Sequence, residues 1–242
     1  MCSFMFVNNE IGTVQDLRKL FKAFNGYGLI YHTDAVQAVG HIPVDVKKLG
    51  VDMLSMSAHK FNGPRGIGAL YVRNGVPMYP MICGGGQERK MRAGTENVAG
   101  AVGMAVALDE AVRFMDERMA HTDSLKHRFV DACTKNNIRF ATTLDDPFSN
   151  NTGILSMRFP EVEAESLLLL LDSFGICVST GSACDSKSVN ISHVLSAIGL
   201  SDTDARSTIR FSFGHQNTFE EVDYAVDSLA KCIDMIRSVN TV

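Results

Sequence analysis

Short apolar runs rich in β-branched residues alternate with stretches of helical spacing along the first half of the chain. SFMFV (3–7) is followed by Val14, Leu17, Leu20, Phe21 and Phe24 at helical intervals, then by GLIYHTD (28–34), VDMLSMS (51–57) and IGALYV (67–72). Such alternation of extended and helical periods predicts an α/β fold, a mostly parallel sheet joined by helical crossovers. Polar groups in sheets of this kind gather at the carboxyl ends of the strands. Asn8 and Asn9, Asp34 and Gln37, and Ser57 to Lys60 each stand at or just past such an end, so three strand-to-loop junctions in a row face one rim.

From Thr95, read as an N-cap, one long helical pattern runs on through Phe129 and is expected to link two domains. Beyond it come a strand (TGILSMRF, 152–159), a helix (AESLLLLLDSFG, 164–175), a short strand (ICVS, 176–179), a polar loop, a strand in TIRFSFG (208–214) and a terminal helix from about Phe219 to Ser238. The most loop-like stretch is DDPFSNN (145–151). The expected organisation is the C-terminal portion of a large α/β domain over residues 1–115 and a small C-terminal α+β domain, carrying the Cys184 loop, over 116–242.

Composition narrows the function classes. With 242 residues and 45% hydrophobic content the chain can bury a core, yet no apolar run approaches the roughly 20 residues of a membrane span. The opening MCSFMFVNNE lacks the basic region and cleavage site of a signal peptide, which points to the cytoplasm and away from membranes. A net charge of −4 without a basic block leaves no footprint for nucleic acid. The six cysteines are scattered without a CxxC pair, so neither a disulfide framework nor a zinc or other metal site is expected, and any cysteine chemistry falls to a single thiol.

The stretch SMSAHKFNGPRGIGALYV (55–72) sets Lys60 behind Ser57 and His59 in a glycine-rich turn. A loop lysine is ordinarily a solvated cation. A covalent role would run through a Schiff base with an aldehyde cofactor, and pyridoxal phosphate asks for further groups. Asp34 can keep the pyridine nitrogen protonated, although an Asp here also caps turns. Gln37 lies about one helical turn on, within reach of the ring's phenolic oxygen. Ser57, His59, Thr95 and backbone N–H groups can supply phosphate donors, and Gly84 to Gly86 and Gly94 permit close backbone approach. Arg210 offers a guanidinium fork for a substrate carboxylate, where the ordinary reading is a solvated edge residue. Cys184, in VSTGSACDSKSVN (178–190), has small polar neighbours suited to an exposed nucleophile, whereas Cys133, Cys177 and Cys232 are expected to be buried small hydrophobes.

VNNEIGTVQD, HTDAVQAVG, SMSAHKFNGPRGIGALYV, GGGQERKMRAGTENV, STGSACDS and TIRFSFG stand in an order and spacing that resemble the NifS/IscS-type cysteine desulfurases of the class V aminotransferase group. The resemblance implies a fold-type I PLP-dependent transferase acting on L-cysteine. It assigns Lys60 to the Schiff base, Asp34 to the pyridine nitrogen, Gln37 to the ring oxygen, and Ser57 and His59 to the phosphate. Thr95 would reach the phosphate of a neighbouring subunit's cofactor, so a homodimer is implied. Asn9, beside the cofactor, and Arg210 would grip the substrate carboxylate. Cys184 would take the sulfur as a persulfide, releasing alanine and passing the sulfur to an acceptor or scaffold protein, as in iron–sulfur cluster or thio-cofactor supply.

Departures from the family pattern accompany the matches. Family members carry a long segment before VNNEIG with a Gly-Thr phosphate loop and a ring-stacking histidine, so the chain is expected to lack that N-terminal part. None of the seven histidines stands in a motif matching that of the ring-stacking histidine, and Cys83 lies where many relatives have histidine. A selenocysteine lyase, a transaminase of the same class, or a catalytically silent fragment that only dimerises or binds a scaffold are the alternatives. The cysteine of the GSAC motif favours desulfuration over transamination.

Overall fold

The structure is a computed structural model and describes residues 1–150, 152–181 and 191–240. The chain forms two compact units, one of Met1–Val7 with Val14–Met115, the other of Asn8–Thr13 with Asp116–Val242.

Among the described residues, the first unit is built on a four-stranded sheet of β1 (Cys2–Met5), β2 (Tyr31–Asp34), β3 (Met53–Ser57) and β4 (Gly68–Val72), in that spatial order. The pairs β1–β2 and β2–β3 are parallel, with α1 (Leu17–Ala23) and α2 (Val46–Leu49) in the crossovers. β4 returns antiparallel to β3, because residues 58–67 are too few for a helical crossover. Asp16 caps α1 by accepting from the Lys19 N–H at 3.0 Å, which fixes the helix so that Leu17 and Phe21 enter the core. Phe4, Leu54 and Met56 line the inner face of the sheet, and Val39, Phe61 and Met104 pack in the same cluster. The outer face carries Ser3, Met5, His32, Asp34, Ser55, Ser57 and Leu70. A hydrogen-bonded row crosses it from Ser3 Oγ to His32 Nδ1 at 2.7 Å and from His32 Nε2 to Ser55 Oγ at 2.8 Å.

The single long helix expected from Thr95 is instead two helices, α3 (Val98–Arg113) and α4 (Met115–Lys135), broken at Phe114. The break separates two packing faces: α3 buries Gly100, Met104 and Ala111, while α4 buries Leu125, Phe129 and Cys133 in a different core. The N-cap of α3 is Asn97, whose Oδ1 accepts from Gly100 N–H at 3.0 Å, not Thr95, which lies two residues upstream of that cap and is exposed.

In the second unit, again among the described residues, β5 (Ala141–Thr142), β6 (Ile154–Arg158) and β7 (Thr208–Ser212) form an antiparallel sheet in that order. It packs in one core with α4, α5 (Ala164–Ser173) and α8 (Phe219–Asn240), through Leu125, Leu155, Leu167, Ile209, Val226 and Leu229. Short helices α6 (His193–Ala197) and α7 (Asp202–Arg206) bring Leu195 and Ala205 against Ile11. The ICVS segment forms no strand beyond an isolated bridge from Ser179 to Arg210. Its extended chain alternates, with Ile176 and Val178 packed inward and Cys177 exposed, so Cys177 is not the buried hydrophobe expected of it.

The Asn8–Thr13 turn is closed by Asn8 N–H to Thr13 O at 2.9 Å and Gly12 N–H to Asn8 O at 3.0 Å. Gly12 has φ +77, and a Cβ there would fall 2.6 Å from Asn150 Nδ2, so both conformation and space demand glycine.

Candidate functional site

Asp34 and Ser57 are the last residues of β2 and β3, and the Asp34–Ser55 register sets them on the same face of neighbouring strands. Past Ser57 the chain makes a 3-10 turn, Ala58–Phe61, pinned from beneath by the fully buried Ala58 and Phe61. This spacing leaves His59 exposed and Lys60 half-buried between two apolar anchors. Ser57 Oγ lies 2.8 Å from His59 Nδ1, pairing a hydroxyl with an imidazole. The Lys60 carbonyl is 2.7 Å from His41 Nε2, which must therefore carry the proton and donate. Gly63 and Gly68 keep the loop tight, since a Cβ would fall 2.9 Å from Ala58 O at the first and 2.6 Å from Met56 O at the second.

The Asp34 carboxylate accepts from Val36 N–H at 3.0 Å and so caps the turn that carries the half-buried Gln37. The first unit thus brings an amine, a carboxylate, a primary amide and a hydroxyl–imidazole pair to the ends of adjacent strands. Thr95 belongs to the same unit, in the exposed segment ahead of α3. A set with one nucleophilic amine, one acid and several hydrogen-bond donors fits an aldehyde cofactor bearing a phosphate.

The second unit holds Asn9 and Arg210. Arg210 projects from the middle of β7, its backbone paired to Ser156 on one side and to Ser179 on the other, where Arg210 N–H donates to Ser179 O at 2.7 Å. Its Nη1 donates to the Asn9 carbonyl at 2.7 Å, which aims the guanidinium from a half-buried base. Cys184 lies outside the described residues. Of the thiols described, Cys83 and Cys177 are exposed, while burial pushes Cys133 up to about 12 and raises Cys232 as well. Those two buried thiols stay protonated and inert at neutral pH.

Sequence reasoning passed over two buried ionisable groups. Glu10 is buried in the Asn8–Thr13 turn and receives the Ser192 hydroxyl at 2.5 Å. Lys126 is fully buried, its Nζ donating to Asn150 Oδ1 at 3.0 Å and Pro147 O at 3.3 Å, with Asp123 Oδ1 at 3.5 Å. The available signals were a charge between Asn9 and Ile11, and a lysine set at helical spacing among Leu125, Phe129 and Cys133.

The aminotransferase class-V family model matches residues 1–225. Curated relatives include cysteine desulfurase IscS of Dictyoglomus turgidum, 46% identical over 99% of this chain and 61% of the relative, and cysteine desulfurase NifS of Azotobacter vinelandii, 37% identical over 98% and 59%. The chain therefore spans about three fifths of the length of these relatives. Among solved structures, a NifS-like protein superposes with a TM-score of 0.84 at 36% identity, over 96% of this chain and 60% of the other. The NifS-like protein of Rickettsia africae gives 0.85 at 30% identity, over 96% and 61%. The fold is that of the fold-type I pyridoxal-phosphate enzymes, as the mixed sheet with helical crossovers and these neighbours agree. With a family match that takes in both structural units, the chain belongs to the class-V aminotransferases.

Proposed function

We propose that the chain carries the cofactor- and cysteine-handling residues of a cysteine desulfurase, which converts L-cysteine to L-alanine and transfers the sulfur to Cys184. The observation that carries this reading is the Ser57–Lys60 turn at the end of β3 beside Asp34, in a chain 46% identical to a cysteine desulfurase IscS. Family members depend on pyridoxal phosphate, which when bound withdraws electrons from the substrate α-carbon.

The donor set described above suits that group. Lys60 would supply the amine that holds the group and would serve as the base that moves the substrate α-proton. Asp34 holds a proton on the pyridine nitrogen, and Gln37 hydrogen-bonds the ring oxygen. Ser57 and His59 hold the phosphate, with Thr95 serving the cofactor of a second copy in a homodimer. Arg210 and Asn9 fix the substrate carboxylate, with Asn9 beside the cofactor. The Cys184 thiolate attacks the substrate sulfur, the carbon–sulfur bond breaks, and its electron pair stays with the carbon fragment that takes up a proton and leaves as alanine. The persulfide on Cys184 is then free for a sulfur-acceptor or scaffold protein. Among the described residues no helix is long and apolar enough to cross a membrane, and the proposed setting is the cytoplasm.

The test separates attachment from sulfur attack. Lys60→Ala is expected to lose both the visible absorbance of the cofactor-loaded chain and all alanine release. Cys184→Ala is expected to keep the absorbance and lose sulfide release. Sulfide release from Cys184→Ala at the wild-type rate would remove the nucleophile assignment.

A further inference from the structure

Glu10 sits in the middle of the Asn8–Thr13 turn with 4% of its surface exposed. A carboxylate so buried is costly unless hydrogen bonds replace its water. Its Oε2 takes the Ser192 hydroxyl hydrogen at 2.5 Å. The same Ser192 oxygen accepts from Val194 and Leu195 N–H at 3.2 and 3.3 Å, so the cap of α6 fixes the hydroxyl that Glu10 grips. On another side the carboxylate meets Gly181, where a Cβ would stand 3.5 Å from Oε2. Glu10 N–H and Ile11 N–H both donate to Asn8 Oδ1, at 2.8 and 3.0 Å, so the turn is tied together as one piece. Next to Glu10 in that piece is the Asn9 carbonyl, which receives Arg210 Nη1 at 2.7 Å.

We infer that Glu10 is a positioning residue for recognition of the substrate carboxylate. Anchored to Ser192, it holds the turn in the geometry in which the Asn9 carbonyl aims the Arg210 guanidinium. Glu10 itself acts without touching the substrate. This inference rests on the desulfurase reading and deepens it.

The test uses the chain loaded with pyridoxal phosphate and two probes read by spectral titration. L-alanine carries an amine and a carboxylate, and ethylamine is the same molecule without the carboxylate. Glu10→Ala is expected to raise the Kd for L-alanine about tenfold, the scale of one displaced charge-assisted bond, and to leave ethylamine unchanged. Ser192→Ala is expected to follow Glu10→Ala and carries the same contrast if that variant does not fold. Glu10→Gln keeps an oxygen that accepts from Ser192 and is expected within about threefold of wild type. Equal weakening of both probes would mean general damage and overturn the inference, as would no change in either. A wild-type chain that takes up the cofactor yet answers neither probe would instead sink the desulfurase reading, and this inference with it.

Discussion

At the scale of single residues, burial separates side chains of the same type. Cys133 and Cys232 lie inside the second core, and burial raises both thiols. Native iodoacetamide labelling at pH 8 is therefore expected at Cys83 and Cys177, with Cys133 and Cys232 labelled only on denaturation. Peptide mass mapping reads the difference, and native modification of Cys133 at the rate of Cys177 would contradict it. Arg210 carries a second expectation at this scale. Its guanidinium is already aimed by the Asn9 carbonyl, so on the proposed function Arg210→Ala would remove a pre-oriented charge-assisted bond to the substrate carboxylate, worth on the order of 1.5–3 kcal/mol. The KM for L-cysteine should rise at least about tenfold, and an unchanged KM would remove the role. Asp34, Ser57 and Lys60 were legible in the sequence because each closes or follows an apolar run at a strand end. Glu10 was not, since the hydroxyl that its buried carboxylate accepts from lies 182 residues away in the chain. Cys177 was misread because alternation, rather than residue type, sets which side chain of an extended segment faces out.

At the scale of elements, caps and packing faces decide where helices begin and break. Asn97 caps α3, so Asn97→Ala should cost about 0.5–2 kcal/mol of unfolding free energy in urea titration. Thr95→Ala, at an exposed site outside the helix, should stay within about 0.5 kcal/mol. If Thr95 serves the phosphate, its alanine variant weakens cofactor affinity while stability holds. The sequence shows an uninterrupted helical period through Phe114 because both α3 and α4 are amphipathic, and only their separate cores reveal the break. β5, at two residues, is too short to leave a period of its own. Lys126 adds a pH-dependent term to α4. Burial lowers its pKa, against the opposing pull of Asp123 and Asp146. Between the lowered folded value and the unfolded value near 10.4, the unfolded chain holds a proton that the folded chain has released. Unfolding free energy gained from this group thus rises with pH across that window. Subtracting the profile of Lys126→Met from that of wild type should leave this rise, and a flat difference would show that the lysine titrates alike in both states.

At the scale of the whole molecule, the α/β and α+β patterns were both readable, because strand and helix periods follow one another distinctly in each half. The sequence does not reveal how much of each element's surface the chain covers. Parallel strands are ordinarily buried on both faces. In the first unit the inner face packs in a core, while Met5 and Leu70 on the outer face are 39% and 45% exposed. On α3, Val98, Val102 and Val106 recur every fourth residue and are 66%, 58% and 62% exposed, an apolar stripe rather than scattered contacts. Apolar surface organised in this way drives association. The 242-residue chain by itself is therefore expected to enhance the fluorescence of an apolar dye such as ANS and to sediment as a concentration-dependent oligomer. Val102→Lys with Val106→Lys should weaken that association by placing like charges on the stripe of every copy, whereas the same change at the exposed Leu169 of α5, outside the stripe, should not. A chain that stays monomeric at high concentration and leaves the dye dark would show that the stripe is hydrated without cost, and that the exposed face of the sheet needs no cover.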